Sequence, residues 1–264
     1  MKVLILTACT VLLLCSIGIA EIDSDMDIFS ESVATVSNVA AGLVNPAGLG
    51  YGIVMSFRYM HSYSDSSFSG DNGFLLATRG NMISIQWMKH TNGVFRRKYL
   101  ASAGKRLFPN FYWGISYAWF SAADPIYKDT KIWKIGFLYH PQKMTSLGLV
   151  VDDLNAPSLG DTTLHRLYTL AGAIKLARGK AILSIDSQMR ENEDFEDIES
   201  VFRLEVNASS LIRLVADYQT GGFFHVGLAL KFDHIGFGSG SRFSKDSFLG
   251  GNLFYNQEPV TNSR

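Results

Sequence analysis

The stretch Asn45-Pro46-Ala47-Gly48-Leu49-Gly50 divides the chain into two differently patterned parts. An apolar leader and a short segment precede it, and runs of alternating apolar and polar residues follow it almost to the end. Asn45 can accept hydrogen bonds from backbone N–H groups, and Pro46 suits the first position of a turn or short helix. The small residues after Pro46 let the backbone pass close to another surface. We therefore predict a tight turn here, followed by an array of strands.

Residues 1–20 have the pattern of a secretory leader. Lys2 supplies a positive start, an almost entirely apolar run follows, and Gly18-Ile19-Ala20 offers the small residues that signal peptidase requires. The residues after Ala20 are acidic and contain no positive stop-transfer cluster, which favours a signal peptide over a retained membrane helix. Both cysteines, Cys9 and Cys15, lie in the leader, so the mature chain should form no disulfide and no thiolate metal site.

The composition excludes several classes of function. Lys+Arg and Asp+Glu both number 24, so net charge gives no reason to propose binding of nucleic acid. No phosphate loop, His-Glu-x-x-His or Gly-x-Ser-x-Gly pattern occurs, and the six histidines are scattered. We expect neither enzyme activity nor a cofactor or metal. After residue 20 no apolar run is long enough for a membrane helix, whereas abundant glycine and aromatic residues indicate strands.

The segment before the Asn45 stretch has small residues at roughly helical spacing. Ser30 or Ser32 is a candidate N-cap for a short helix through Val33, Val36 and Val39. A helix this short is not stable alone in water, so we expect it to pack against a surface or a cavity.

From Tyr51 onward the apolar pattern has a period of two. In the clearest run, Phe111, Trp113 and Ile115 alternate with Tyr112, Gly114 and Ser116. The pattern predicts about fourteen strands within residues 51–257, followed by a tail or truncated linker at 258–264. Long and short connections largely alternate, as in outer-membrane barrels with short periplasmic turns and longer external loops.

The alternation defines an aromatic face and a face of glycine, serine and mixed charge. A soluble β-sandwich or soluble barrel would turn the aromatic face inward, and alternation alone does not exclude it. The leader, the glycine-rich second face and the strand length favour a membrane barrel with its aromatic face toward lipid. We therefore expect an all-β, transmembrane antiparallel barrel in the bacterial outer membrane, in contact with its lipid.

Charged residues on the face opposite the aromatic one are candidates for the lumen or a ligand path. They are Arg58, Lys134, Asp152, Asp186, Arg203, Glu205, Arg213, Asp217, His225 and Lys231. The interpretation that we favour is ion pairing across adjacent strands and with a segment inside the barrel. The alternative is a ligand path in which Arg213 or Lys231 meets a carboxylate. Val54, Leu138 and Val150, together with Val39, Leu43 and Val44 of the segment before the Asn45 stretch, are candidates for apolar lining.

A short helix, then Asn45, Pro46, Ala47, Gly48 and Leu49, then about fourteen alternating strands resembles the long-chain fatty-acid transporter (FadL-like) family. The chain also resembles the PorV-like barrels of type IX secretion. The resemblance implies that residues 21–50 contain a short helical hatch that fills the lumen. It further implies porin-like, non-enzymatic transport of a hydrophobic small molecule. The PorV-like relatives imply instead a structural or secretion-accessory barrel with a secretion partner.

A second, local resemblance lies in the middle of the chain. Residues 133–141 and 147–155 are similar to the barrel segment that precedes the protease in some fused signal-peptide-peptidase-like proteins. No protease domain with its serine and lysine is recognisable in this sequence. This resemblance implies a barrel without transport activity that has a periplasmic protease partner.

Overall fold

Fourteen antiparallel strands close into a barrel, and each strand is hydrogen-bonded to both neighbours. The computed structural model describes residues 31–64, 71–89, 95–122, 127, 130–159, 162–245 and 247–258. The predicted signal peptide, the first ten residues of the predicted hatch (21–30) and residues 259–264 of the tail lie outside these ranges. The all-β barrel with about fourteen strands is confirmed.

The strands follow one another around the barrel in chain order. Their bounds are β1 Ser56–Ser64, β2 Asn72–Thr78, β3 Asn81–Lys89, β4 Phe95–Phe108, β5 Phe111–Ala122, β6 Lys131–Gln142, β7 Thr145–Asp152, β10 Leu167–Leu176, β11 Ala181–Arg190, β12 Glu199–Asn207, β13 Ile212–Gln219, β14 Phe223–Phe232, β15 Ile235–Phe243 and β16 Phe248–Gln257. A separate hairpin consists of β8 Ser158–Leu159 and β9 Thr162–Thr163. An α-helix spans Ala41–Val44, and 3-10 helices span Pro46–Tyr51, Ala177–Gly179 and Phe195–Asp197. None of the helices in the described ranges has the length and apolarity needed to cross a membrane.

The outer face of the barrel is apolar and the inner face is mixed. Trp133 and Leu204 are exposed on the outside, whereas Arg58 and Asp217 are buried inside. A barrel wall in lipid needs an apolar outer face, and closure leaves no backbone edge unpaired. The soluble alternative, with the aromatic face as its core, is therefore wrong.

The first strand begins at Ser56, later than the alternation from Tyr51 predicts. Tyr51 is the last residue of a 3-10 helix, and Gly52 follows it with a φ of 78°, a left-handed conformation that glycine adopts without strain. Val54 precedes the strand and is 58% exposed, so the prediction that it lines the lumen is wrong. Leu138 and Val150 are buried on the inner face.

The predicted helix from Ser32 through Val39 is not formed. Residues 33–35 form a turn, and the α-helix comprises only Ala41–Val44. The hydroxyl of Ser32 accepts a hydrogen bond from the Ala34 N–H and donates one to the Asp186 carboxylate on the barrel wall. A short segment has little intrinsic helix stability, so contacts with the wall determine its path.

A side chain continues the sheet where β7 stops. The Asn155 Oδ1 atom accepts from the Trp133 N–H at 3.0 Å, and its Nδ2 atom donates to the Lys131 carbonyl at 2.8 Å. These bonds satisfy the outer end of β6, which β7 is too short to reach. Unsatisfied backbone groups are costly in a membrane barrel, so Asn155 protects this edge.

We expect Asn155→Ala to lower the free energy of unfolding by about 1–2 kcal/mol, because two hydrogen bonds to β6 are lost. Urea titration of the protein in liposomes measures the change. Asn81→Ala is the control, since the Asn81 side chain makes only a 3.4 Å contact with the Arg79 carbonyl. Equal losses in the two variants would contradict the role of Asn155.

Candidate functional site

The described part of the hatch, residues 31–50, lies inside the barrel and supplies much of its hydrophobic core. Val36, Val39 and Leu49 are fully or almost fully buried. They belong to one apolar cluster with the wall residues Leu75 and Leu100. The hatch is therefore packed against the wall as tightly as a domain interior.

Four adjacent strands each place one glycine against the hatch, and we call these glycines the glycine seat. Its members are Gly104, Gly114, Gly136 and Gly148. A Cβ atom on Gly104 or Gly114 would overlap the Pro46 backbone. A Cβ on Gly136 would overlap the side chain of Asn45, and one on Gly148 the carbonyl of Val33. The missing side chains thus let the hatch backbone touch the wall.

Asn45 uses both ends of its buried side chain to fix the hatch. The Oδ1 atom accepts from the Ala47 N–H at 3.1 Å and caps the 3-10 helix, in which Pro46 takes the first position. The Nδ2 atom donates to the carbonyls of Val33 at 2.8 Å and of Phe137 at 3.1 Å. Asn45 therefore joins the start of the helix to an earlier turn of the hatch and to β6.

Side chains of the same wall bind the carbonyl groups that end the α-helix of the hatch. Ser102 and Ser116 both donate to the Gly42 carbonyl, at 3.1 and 2.8 Å. The Lys134 ammonium donates to the Leu43 carbonyl and lies 2.8 Å from the Asp152 carboxylate. These donors satisfy carbonyls that a helix end leaves without intrahelical partners.

The opposite wall carries a chain of charged side chains across β11, β12, β13 and β14. Arg203 lies 2.8 Å from Asp217 and 4.0 Å from Asp186, and His225 lies 3.2 Å from Asp217. Asp186 accepts from the Ser32 hydroxyl at 2.5 Å and from the Val33 N–H at 2.8 Å. The charged chain therefore ends on the hatch.

The other predicted lumen residues form separate pairs. Arg58 is buried, lies 3.3 Å from Glu31 of the hatch and donates to the Asn256 side chain at 2.6 Å. Arg213 lies 3.7 Å from Glu205. The ten charged residues are thus distributed over several groups and do not form one site.

Lys231 lies apart from these groups, at the rim of the barrel. Its side chain is 59% exposed and lies 3.0 Å from the Glu258 carboxylate. Within the described ranges, no group of His, Cys, Asp and Glu side chains is arranged to hold a metal ion.

A cavity of about 440 Å³, the outer cavity, lies above the hatch at the end of the barrel with the longer loops. Leu43 forms part of its floor beside the Lys134–Asp152 pair, and Leu100, Ala118 and Ile132 contribute to its walls. Its rim carries Arg96, whose guanidinium lies 4.4 Å from the centre of the Tyr127 ring. The outer cavity is thus apolar along the wall formed by Leu100, Ala118 and Ile132, polar on the opposite side at Gln188 and Arg190, and charged at its rim and floor.

A second cavity of about 260 Å³, the inner cavity, lies at the end of the barrel with the short turns. Arg58, Glu205, Arg213, Lys231 and Phe254 contribute to its lining. The hatch lies between the two cavities, because Leu43 lines the outer one and Asn38 lines the inner one.

Sequence reasoning missed the glycine seat and the cationic rim of the outer cavity. Gly104, Gly114 and Gly136 occupy paired register positions on three successive strands. An inward glycine on each of several successive strands is a signal that the sequence contains, and it predicts close approach of another backbone. Arg96 and Lys98 lie two residues apart in β4, which places both on the inner face.

No protein-family model and no curated protein sequence matches this chain. Among solved structures, the CymD monoaromatic hydrocarbon channel superposes with a TM-score of 0.53 at 10% identity, over 87% of this chain and 95% of CymD. Omp33, an outer membrane protein of Acinetobacter baumannii, superposes with a TM-score of 0.53 at 7% identity, over 80% of this chain and 100% of Omp33.

These similarities show the fold, which is that of an outer-membrane β-barrel. They do not extend to membership of the long-chain fatty-acid transporter or PorV-like families. At such low identity, function has to be argued from the hatch and the cavities.

Proposed function

We propose that this protein is a non-enzymatic outer-membrane channel that passes a hydrophobic small molecule. The observation that carries the proposal is the outer cavity, whose apolar wall leads down to the hatch. Its volume lies in the range of about 300–1,000 Å³ that is typical of small-molecule sites. The shared fold with CymD, which is described as a hydrocarbon channel, supports the same class of passenger by analogy.

The proposed passage begins with capture in the outer cavity. An apolar molecule gains about 25 cal/mol for each Å² of surface that Leu100, Ala118 and Ile132 shield from water. Below them, Lys134 holds both the Leu43 carbonyl of the hatch and Asp152. Because the hatch forms the floor, onward movement requires this part of the hatch to shift.

The second candidate function is a structural barrel that anchors a secretion or periplasmic protease partner and conducts nothing. The number of bonds between hatch and wall favours it. Arg58 pairs with Glu31, Asp186 binds Ser32, and the glycine seat fits Asn45 closely. A permanently filled lumen of this kind suits an anchor.

The two candidates differ in the uptake of N-phenylnaphthylamine, an apolar dye that fluoresces when it reaches phospholipid. We expect a bacterial host that produces the protein to take up the dye several-fold faster than the empty host, and a deletion of residues 31–50 to accelerate uptake further. Ala118→Trp, which fills the outer cavity, should reduce uptake to that of the empty host.

Ala216→Trp is the matched control, because Ala216 is exposed on the outer face of β13. Its uptake should equal that of the wild type. Wild-type uptake equal to that of the empty host, with the barrel folded by gel mobility, would contradict transport and favour the anchor, whatever the deletion does.

A further inference from the structure

The lipid-facing side of the barrel carries few charged side chains, and their positions are not random. Among the side chains that the structure describes in the fourteen barrel strands, the Lys, Arg, Asp and Glu residues on this side are Arg97, Lys105 and Lys131. All three are basic and exposed. Arg97 and Lys131 lie toward the end with the longer loops, whereas Lys105 lies toward the end with the short turns. Because a cation facing lipid is tolerated only where it reaches the interface, Arg97 and Lys131 mark the level of the lipid headgroups.

Arg97 and Lys131, which we call the basic pair, lie on the two sides of β5. In the register Arg97 is opposite Ser121, and Lys131 is opposite Trp119. Two strand spacings and an offset of two residues place the Cα atoms of the basic pair roughly 12 Å apart. Among the described residues, neither side chain has an acidic partner. The two cations can therefore approach one bulky headgroup that lies over β5 from opposite sides.

Four aromatic rings border the basic pair on the outer face, and we call them the aromatic ledge. They are Tyr99, Tyr117, Trp119 and Trp133. Tyr99 stacks on Trp119 with ring centres 5.4 Å apart. The Tyr117 ring lies 5.6 Å from Trp119 and 4.6 Å from Trp133. Because Trp and Tyr rings on a lipid-facing surface lie at the membrane interface, the aromatic ledge offers a continuous apolar surface next to the two cations.

Asn155 fixes the strand end that carries Lys131. Its side chain accepts from the Trp133 N–H at 3.0 Å and donates to the Lys131 carbonyl at 2.8 Å. The same Trp133 belongs to the aromatic ledge, so the backbone of Lys131 and the ledge are held in a fixed relation. A surface that is already ordered loses less freedom when a ligand binds to it.

We propose that the basic pair and the aromatic ledge bind a phosphorylated glycolipid of the outer leaflet. Its phosphate groups lie on Arg97 and Lys131, and its sugars and acyl chains lie over the aromatic ledge. Guanidinium and ammonium groups form charge-assisted hydrogen bonds with phosphate, which are stronger than bonds between neutral groups. The site is on the outside of the wall, so it does not depend on any passage through the lumen.

The separation of the two cations and their place on the barrel favour this class of lipid. A glycolipid with a phosphate at each end of two linked sugars presents two separated anions, whereas a glycerol phospholipid with one phosphate presents one. The longer loops of outer-membrane barrels are external. The basic pair therefore faces the leaflet in which phosphorylated glycolipids lie.

Native mass spectrometry of the protein in detergent tests this proposal, with bisphosphorylated lipid A as the added probe. We expect Arg97→Gln/Lys131→Gln to bind lipid A about tenfold more weakly than the wild type, because two cations at the headgroup level are lost. Lys105→Gln is the matched control, since it removes an exposed lipid-facing cation of β4 at the opposite end of the barrel. Its binding should equal that of the wild type. Equal losses in the double variant and the control, or no loss in the double variant, would overturn the proposal.

Two further lipids identify the chemistry that is recognised. Lipid A without its phosphates should bind the wild type as weakly as intact lipid A binds the double variant, although its sugars and acyl chains remain. Phosphatidylglycerol, which has one phosphate and no sugar ring, should distinguish the wild type from the double variant by a smaller factor than lipid A does. An equal factor for both lipids would indicate a surface for any anionic lipid and would contradict recognition of a glycolipid.

An exchange of the two basic residues separates the role of charge from any effect on folding. The variant Arg97→Lys/Lys131→Arg keeps one cation at each position, so it should recover most of the binding that the double variant loses. The substituted side chains are exposed, and gel mobility confirms that each variant is folded before binding is measured. Binding by the exchange variant as weak as that of the double variant, from folded protein, would count against phosphate recognition by the basic pair.

Discussion

Gly114→Leu is expected to displace residues 45–50 of the hatch from the wall while the barrel stays closed. A Cβ atom on Gly114 would overlap backbone atoms of Pro46 and Ala47, which cannot rotate away as a flexible side chain can. Overpacking at such a contact costs about 1–3 kcal/mol, and leucine adds further atoms that also need space. The hatch should therefore become accessible while the strands remain protected.

Limited proteolysis measures this displacement. In the Gly114→Leu variant the hatch should be cleaved at least about tenfold faster than in the wild type, since a penalty of about 1.4 kcal/mol corresponds to a tenfold change in the open population. Gly172→Leu is the matched control, because Gly172 lies on the outer face of β10 and a Cβ there would approach only Leu147, at 3.8 Å. Similar cleavage of both variants would contradict a specific glycine seat.

Leu204→Arg is expected to destabilise the folded barrel in a bilayer, lowering its free energy of unfolding by about 2–4 kcal/mol. This is the penalty for an arginine that faces lipid near mid-membrane. Leu204 is 43% exposed on the outer face near the middle of β12. Folding into liposomes, followed by gel mobility and urea titration, measures the loss.

Val201→Arg on the same strand is the control for this substitution. Val201 faces the lumen and lies opposite Asp186 in the register, so an arginine there meets water and a carboxylate. We expect a change of less than about 1 kcal/mol, as for most substitutions away from a packed core. A larger loss for Val201→Arg than for Leu204→Arg would reverse the assignment of the inner and outer faces.

The wall of the barrel was predictable from the sequence because alternation is a local property. A run such as residues 111–119 shows both its strand character and its two faces without reference to any other strand. The same rule placed Arg203, Asp217 and His225 on one face. It did not identify their partners, because pairing depends on the register between strands, which alternation does not specify.

The path of the hatch was not predictable for a physical reason. Its small residues have weak intrinsic preferences, so contacts distant in sequence decide the conformation. Ser32 binds Asp186 across 154 residues instead of capping a helix, and Asn45 binds Phe137 across 92 residues. The alternation from Tyr51 misled for a related reason, since the Tyr51 ring stacks on Tyr112 and ends the hatch.

Three polar residues within 147–155 have a structural role at the outer end of the barrel. Asp152 pairs with Lys134, Asp153 lies 3.6 Å from Arg190, and Asn155 completes the edge of β6. Each of the three holds the outer end of the barrel together. These three residues therefore stabilise this part of the wall.

Arg58 gives this protein a particular order of assembly. Its guanidinium touches Asn256 on the last strand, 198 residues away, and at the same time pairs with Glu31. Contacts that span so much of the chain form late in folding, because a long loop has to close first. Glu31, which is synthesised before all the strands, therefore gains this anchor only when β1 pairs with β16 and closes the barrel. An intermediate whose sheet is still open would hold Glu31 loosely, so closure of the barrel and fixing of Glu31 would finish together.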